Sequence, residues 1–108
     1  MEKRRGIEPS CDIAIIGGGA AGLACAVSAA GFCERLDITV IDRMPRVGRK
    51  ISVTGNGRCN LSNLNISAEY YHGSVDVSGL LSEIPDIRPF FESLGLFTYA
   101  DGAGRVYP

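Results

Sequence analysis

Two groups of residues in this 108-residue sequence have types and spacing suited to chemistry. The first is Gly17-Gly18-Gly19-Ala20-Ala21-Gly22, which satisfies G-x-G-x-x-G with Gly17, Gly19 and Gly22 at the three required places. In such a turn the first glycine allows the tight bend. The second lets a diphosphate approach the backbone with no Cβ in the way, and the third lets a helix pack closely on a strand. Unpaired amides at the helix N-terminus face the anion, and the helix macrodipole favours its negative charge. Asp42 stands twenty residues beyond Gly22 and is followed by Arg43. A carboxylate at that place accepts hydrogen bonds from the hydroxyls of an adenosine ribose.

The second group is Gly48-Arg49-Lys50 with Thr54-Gly55-Asn56-Gly57-Arg58-Cys59-Asn60-Leu61-Ser62-Asn63. Gly55 and Gly57 permit positive φ, so successive amides there can line an anion-binding concavity. Arg49, Lys50 and Arg58 are the nearest cations, able to neutralise a pyrophosphate or to stabilise negative charge on a reduced cofactor ring. Asn56, Asn60 and Asn63 can hydrogen-bond ligand hydroxyls or cap their own backbone turns. The cofactor-binding candidates are therefore Gly17, Gly18, Gly19, Ala20, Ala21, Gly22, Asp42, Arg43, Arg49, Lys50, Gly55, Gly57, Arg58, Cys59 and Asn60.

The elements that must position these residues are legible from pattern. Asp12 to Ile16 is a short apolar run ending at Gly17, as expected of a strand buried on both faces of a parallel sheet. Ala20 to Ala30 is small and apolar at helical spacing, with Gly31 placed to stop it. Asp37 to Ile41 is β-branched and ends at Asp42, so the three make one βαβ unit. The fold class this defines is α/β, a Rossmann-like βαβ FAD/NAD(P)-binding fold. FAD and NAD present the same adenosine diphosphate to such a turn, so the fingerprint alone does not separate them.

Further along, Arg43 to Asn65 is a long polar segment, of the kind more often functional than idle. Ser78 can cap a short helix to about Ile84, and Asp86 another to about Leu94, with Pro89 in the first turn and Gly95 as a stop. Leu80, Leu81, Ile84, Ile87, Phe90, Phe91 and Leu94 read as core and interdomain surface. Phe97 to Ala100 and Arg105 to Tyr107 flank Asp101-Gly102-Ala103-Gly104, a hairpin turn. Residues 1–10 read as a flexible N-terminal arm.

Composition excludes several classes. Eleven Lys and Arg against twelve Asp and Glu leave a net charge of -1, with no basic surplus for a nucleic-acid backbone. Hydrophobic residues at 45 % exclude a disordered tail. Ile13 to Cys33 is uncharged, but three consecutive glycines and an excess of Ala and Gly over Leu and Ile argue against a membrane span. Cys11, Cys25, Cys33 and Cys59 fit no disulfide framework or zinc spacing, and Cys25 reads as a buried thiol, which implies a reducing, cytoplasmic setting. Cys59 lacks a C-x-x-C partner, and His72, the one histidine, has no acid or nucleophile pattern around it. No metal site and no catalytic residue stand out.

The glycine fingerprint with the Gly48 to Lys50 and Thr54 to Asn63 runs resembles the NAD(P)/FAD-dependent oxidoreductase family also labelled aminoacetone-oxidase-like. Leu94-Gly95-Leu96 and Gly104-Arg105-Val106-Tyr107-Pro108 resemble later landmarks of that family. The resemblance implies FAD as cofactor, NAD(P)H as an electron donor, hydride transfer through the flavin and a small-molecule substrate. It also implies that residues 11–108 form the N-terminal part of an FAD-binding domain, with the catalytic residues, the rest of that domain and a substrate domain beyond Pro108. Asp42 stands where such flavoproteins usually carry Glu, a shorter reach to the ribose. Two other readings stay open, an NAD-binding dehydrogenase domain and a non-catalytic nucleotide-binding module.

Overall fold

The computed structural model describes residues 10–108. The expected arm falls mostly on residues 1–9, outside the described residues. The chain is α/β and divides into two compact units, Met1–Ser52 and Val53–Pro108.

In the first unit, β1 (Ile13–Ile16) and β2 (Ile38–Ile41) pair in parallel, with Ile13 opposite Ile38 and Ile16 opposite Ile41. A crossover helix, α1 (Ala20–Phe32), packs on both strands. Alternation decides which side chains meet it, because successive residues of a strand point to opposite faces. Ile13, Ile15, Ile38 and Val40 are buried or half-buried. Ala14, Ile16, Thr39 and Ile41 form the other face, where Ile16 is 79 % exposed. The expectation of strands buried on both faces is thus corrected for these residues: one helix covers one face of a two-stranded sheet.

Two further expectations change here. Gly31 does not stop α1, which runs one residue further to Phe32 and ends on Cys33 in an extended conformation. Gly31 keeps a negative φ, so it enters the helix as an ordinary residue would. Cys25 is exposed rather than buried, and all four cysteines are free.

In the second unit, the polar stretch after the first carries more structure than a loop. Ile51–Gly57, which begins two residues before that unit, is 3-10 turn broken by a non-helical kink at Thr54, Gly55 and Asn56, and β3 (Ser62–Asn63) follows. The expected hairpin is present as β4 (Tyr99–Ala100) and β5 (Arg105–Tyr107), with Tyr99 opposite Tyr107. Asp101 closes its turn, taking the Ala103 and Arg105 amides on Oδ1 at 2.9 and 3.0 Å. β3 joins the other edge of β5 antiparallel, giving the order β3-β5-β4. Central placement buries β5: Val106 is 2 % exposed and Tyr107 1 %.

Two short helices, α2 (Ser78–Glu83) and α3 (Arg88–Ser93), lie between. Ser78 is not the cap of α2. The N-cap positions of α2 and α3 are Val77 and Ile87, neither with a side-chain cap bond; Asp76 and Asp86, one residue earlier, accept the Ser78 and Arg88 amides at 2.9 and 3.0 Å, so Asp86 is not the cap expected of it. Leu80, Ile84 and Leu94, expected in the core or at an interdomain surface, are exposed here. Helices of six residues have too few turns to bury a full apolar stripe.

Candidate functional site

The glycine turn is held by its own backbone and by the segment after β2. Gly17 has φ +101°, which the bend from β1 into α1 requires. Its amide donates to the Ile41 carbonyl at 2.7 Å, so the turn starts from the sheet ladder itself. Gly22 lies where α1 crosses β1. A Cβ there would overlap the Gly17 carbonyl oxygen, stand 3.0 Å from its carbon and touch Ile15 Cγ2 at 3.4 Å. The first helical bond runs from the Leu23 amide to the Gly19 carbonyl, 3.0 Å. The amides ahead of it have no helical carbonyl within reach.

Gly18 fastens the turn at both its polar groups. Its amide donates to Asp42 Oδ2 at 2.6 Å, and its carbonyl accepts the Gly48 amide at 2.7 Å. A Cβ at Gly18 would overlap Val47 Cγ1 and stand 2.8 Å from Val47 Cβ. Gly18, which the fingerprint leaves unspecified, is therefore crowded much as Gly22 is. Val47 and Gly48 are the positions that sequence reasoning missed as supports, and only the glycine of the Gly48-Arg49-Lys50 run hinted at them.

Asp42 also takes the Met44 amide on Oδ1 at 2.7 Å. The Met44 amide, then the Gly18 amide, hold its carboxyl below the ordinary aspartate value, with a smaller favourable contribution from Arg43 against a burial effect of opposite sign. A depressed folded-state pKa means that this stabilisation is present above the unfolded value and is lost as pH falls through the lowered one. The stability of the native protein should therefore fall with acidification below the ordinary aspartate range, and Asp42→Asn should flatten that slope. Urea midpoints measured across the acidic range check this; identical slopes in the two proteins would count against it.

At Gly19 the surroundings are different. No atom lies within 4 Å of where a Cβ would stand, and the backbone is extended at φ -82°, ψ -169°. Space in front of the α1 amides is thus open at the position where a phosphate would need to approach. Two of the four lone-pair sites of the Asp42 carboxylate are taken by amides, which leaves acceptors for ribose hydroxyls. These residues fit the adenosine diphosphate half of a dinucleotide. Ala20, Ala21, Arg43, Arg49 and Lys50 are exposed on the same unit.

The second unit gathers Gly55, Arg58, Asn60 and Tyr107. Gly55, Asn56 and Gly57 have φ of +57°, +60° and +81°, and Cys59 has +59°, a left-handed run of the kind Gly55 and Gly57 suggested. The Arg58 and Cys59 amides, however, donate to the Gly55 and Thr54 carbonyls at 3.2 and 2.9 Å, so they are engaged within the loop. Asn63 caps its own turn, taking the Asn65 amide on Oδ1 at 2.8 Å. Among the described residues no group of His, Cys, Asp or Glu could hold a metal ion, and no helix is long and apolar enough to cross a membrane.

A parallel βαβ unit with this glycine turn and an acid at the end of its second strand defines a Rossmann-type domain. The chain belongs to the HI0933-like protein Rossmann domain family, whose model matches residues 11–108. It is 40% identical over 100 residues to a 3-dehydro-bile acid delta(4,6)-reductase of Clostridium scindens, covering 89% of this chain and 24% of that protein. It is 44% identical over 57 residues to a ribosomal RNA dihydrouridine synthase of Haemophilus influenzae, covering 53% of this chain. A ribosomal RNA dihydrouridine synthase of Escherichia coli is 42% identical over 60 residues, covering 56%. The chain spans 24% of the first relative's length and 14% of each of the other two.

Proposed function

We propose that this chain is the FAD-binding segment, the N-terminal part of an FAD domain, of a cytoplasmic flavin-dependent oxidoreductase acting on a small molecule, with NAD(P)H as electron donor. The observation that carries the reading is the open approach at Gly19 in front of the α1 amides, framed by a turn fixed at Gly17, Gly18 and Gly22. Gly19, Ala20, Ala21 and Gly22 offer backbone N–H groups and the helix dipole to the diphosphate, and Asp42 accepts from the adenosine ribose. Arg43, Arg49 and Lys50, exposed on the same unit, supply positive charge. Bound FAD supplies hydride transfer at its N5 atom. The protein's part is binding, orientation and electrostatics.

FAD is favoured over NAD by the sequence run Thr54 to Asn63, whose glycines, asparagines and arginine are of the types that suit a longer cofactor. The reductase named among the relatives, matched over most of this chain, supports redox chemistry on a small molecule. The net charge of -1 favours such a substrate over a polynucleotide for this segment. The test is spectroscopic: the purified protein should show flavin absorption bands and release FAD on denaturation. A colourless protein that takes up NAD but no flavin would replace this reading with a dehydrogenase domain.

A further inference from the structure

The left-handed loop of the second unit contains a dipeptide with a reaction of its own. Asn56-Gly57 is the one Asn-Gly step in the sequence, which has four asparagines and no glutamine. Asparagine is thermolabile because its side-chain amide carbon lies within reach of the next residue's backbone nitrogen. Attack by that nitrogen closes a small ring, and a side chain on the following residue hinders the approach. Asn60, Asn63 and Asn65 are followed by Leu61, Leu64 and Ile66, which are bulky. Only Asn56 precedes a residue with no side chain.

The fold leaves this step open. Asn56 and Gly57 are exposed, at φ +60° and +81°. No hydrogen bond among the described residues engages the Asn56 side chain, whereas Asn63 Oδ1 takes the Asn65 amide at 2.8 Å. No atom lies within 4 Å of where a Cβ on Gly57 would stand, so a ring has room to form there. Asp101-Gly102 in the same unit could close the same ring and makes the contrast. Its Oδ1 accepts the Ala103 and Arg105 amides, and its Oδ2 accepts Arg105 Nε at 2.8 Å. Burial pushes the Asp101 carboxyl up, but the Arg105 and Ala103 amides and the Arg105 guanidinium together bring it below the ordinary aspartate value. It is thereby kept ionised, the form that a nucleophile does not attack.

We propose that Asn56 is a self-modification site, where the exposed Asn56-Gly57 step deamidates without an enzyme. The Gly57 nitrogen bonds to Asn56 Cγ, the Cγ–Nδ2 bond breaks, and ammonia leaves with the proton of the Gly57 amide. Water then opens the resulting succinimide at either carbonyl. One opening restores the backbone and leaves aspartate. The other leaves isoaspartate, with the backbone rerouted through the side chain and one carbon longer. Both place a carboxylate two residues from Arg58, the single charged residue of the Thr54 to Asn63 run. Arg58 forms no ion pair among the described residues, and its Nη2 donates to the Tyr107 hydroxyl at 3.2 Å. Deamidation therefore removes the net positive charge of that run.

The test is ageing of the purified protein at mildly alkaline pH, followed by tryptic digestion and mass spectrometry. Cleavage after Lys50 and Arg58 isolates residues 51–58, in which Asn56 is the only asparagine. This peptide should gain the mass difference between an amide and an acid, faster at alkaline than at acidic pH, and an isoaspartyl methyltransferase should label it. Exposed loops open at almost no cost, so the folded protein should react within about tenfold of the free peptide of the same residues, equivalent to about 1.4 kcal/mol of opening. Asn56→Asp should keep its mass on ageing, and should focus at the isoelectric position to which the aged parent moves. A folded protein slower than the peptide by more than that factor would overturn the proposal. So would a mass gain at Asn60, Asn63 or Asn65, or isoaspartate at Asp101, appearing ahead of the change at Asn56.

Discussion

Gly22→Ala should destabilise the protein by at least about 2 kcal/mol, although alanine is the better helix former. Within a helix the exchange is worth about 1 kcal/mol in alanine's favour. Against that, the new Cβ would overlap the Gly17 carbonyl oxygen and stand 3.0 Å from its carbon. Backbone at that point cannot step aside, because the Gly17 amide is bonded to Ile41 at 2.7 Å and Gly18 is tied to Asp42 and Gly48. Overpacking of this sort costs about 1–3 kcal/mol when side chains can adjust and more when they cannot. The overlap therefore outweighs the propensity gain. Denaturant unfolding followed by circular dichroism checks the sign, and an unchanged or raised midpoint would show that α1 can lift from β1 without penalty.

Gly19→Val separates binding from folding. Three residues away in the same turn, it should leave stability within about 0.5 kcal/mol of the parent, since a Cβ there meets no atom within 4 Å and the extended backbone accepts a β-branched residue. The same side chain should occupy the space before the α1 amides and weaken FAD binding by roughly tenfold to a hundredfold, the equivalent of about 1–3 kcal/mol of overpacking. Equilibrium titration with FAD, next to an unfolding curve of the same variant, reads both quantities. Unchanged FAD affinity in a folded Gly19→Val would remove the glycine turn from the cofactor site. Loss of both folding and binding would contradict the open geometry at Gly19.

How far these results could be foreseen differs between the two units. The βαβ unit was legible because its signals are local: β-branched runs, a small-residue helix and glycines at fixed offsets all act within a few residues. The roles of Gly17 and Gly22 followed from spacing, and the structure gives each a geometric reason. The role of Gly18 was not legible, since it depends on Val47 and Gly48, whose approach is set by the path of the chain after β2. Burial was misjudged where covering matters more than pattern. Ile16 and Leu80 look like core by type, and both are exposed because the described residues place no layer over them. The pairing of β3 with β5 escaped notice for a related reason. Ser62–Asn63 is polar and two residues long, too short for a period-two pattern. Tyr107 was legible as part of a hairpin arm and a family landmark, but its contact with Arg58 spans 49 positions and no local pattern signals it.

The order β3-β5-β4 has a consequence for how the chain is made. β1 and β2 can pair once Ile41 has left the ribosome, because every element of that unit already precedes it. β3 and β4 have no ladder to each other, and both wait for Arg105–Tyr107. During synthesis, Ser62 to Ala100 must therefore remain without a sheet while the first unit is already closed. Of the three strands of that sheet, β5 emerges last and zips the second unit, and Tyr107 reaches Arg58 in that same event.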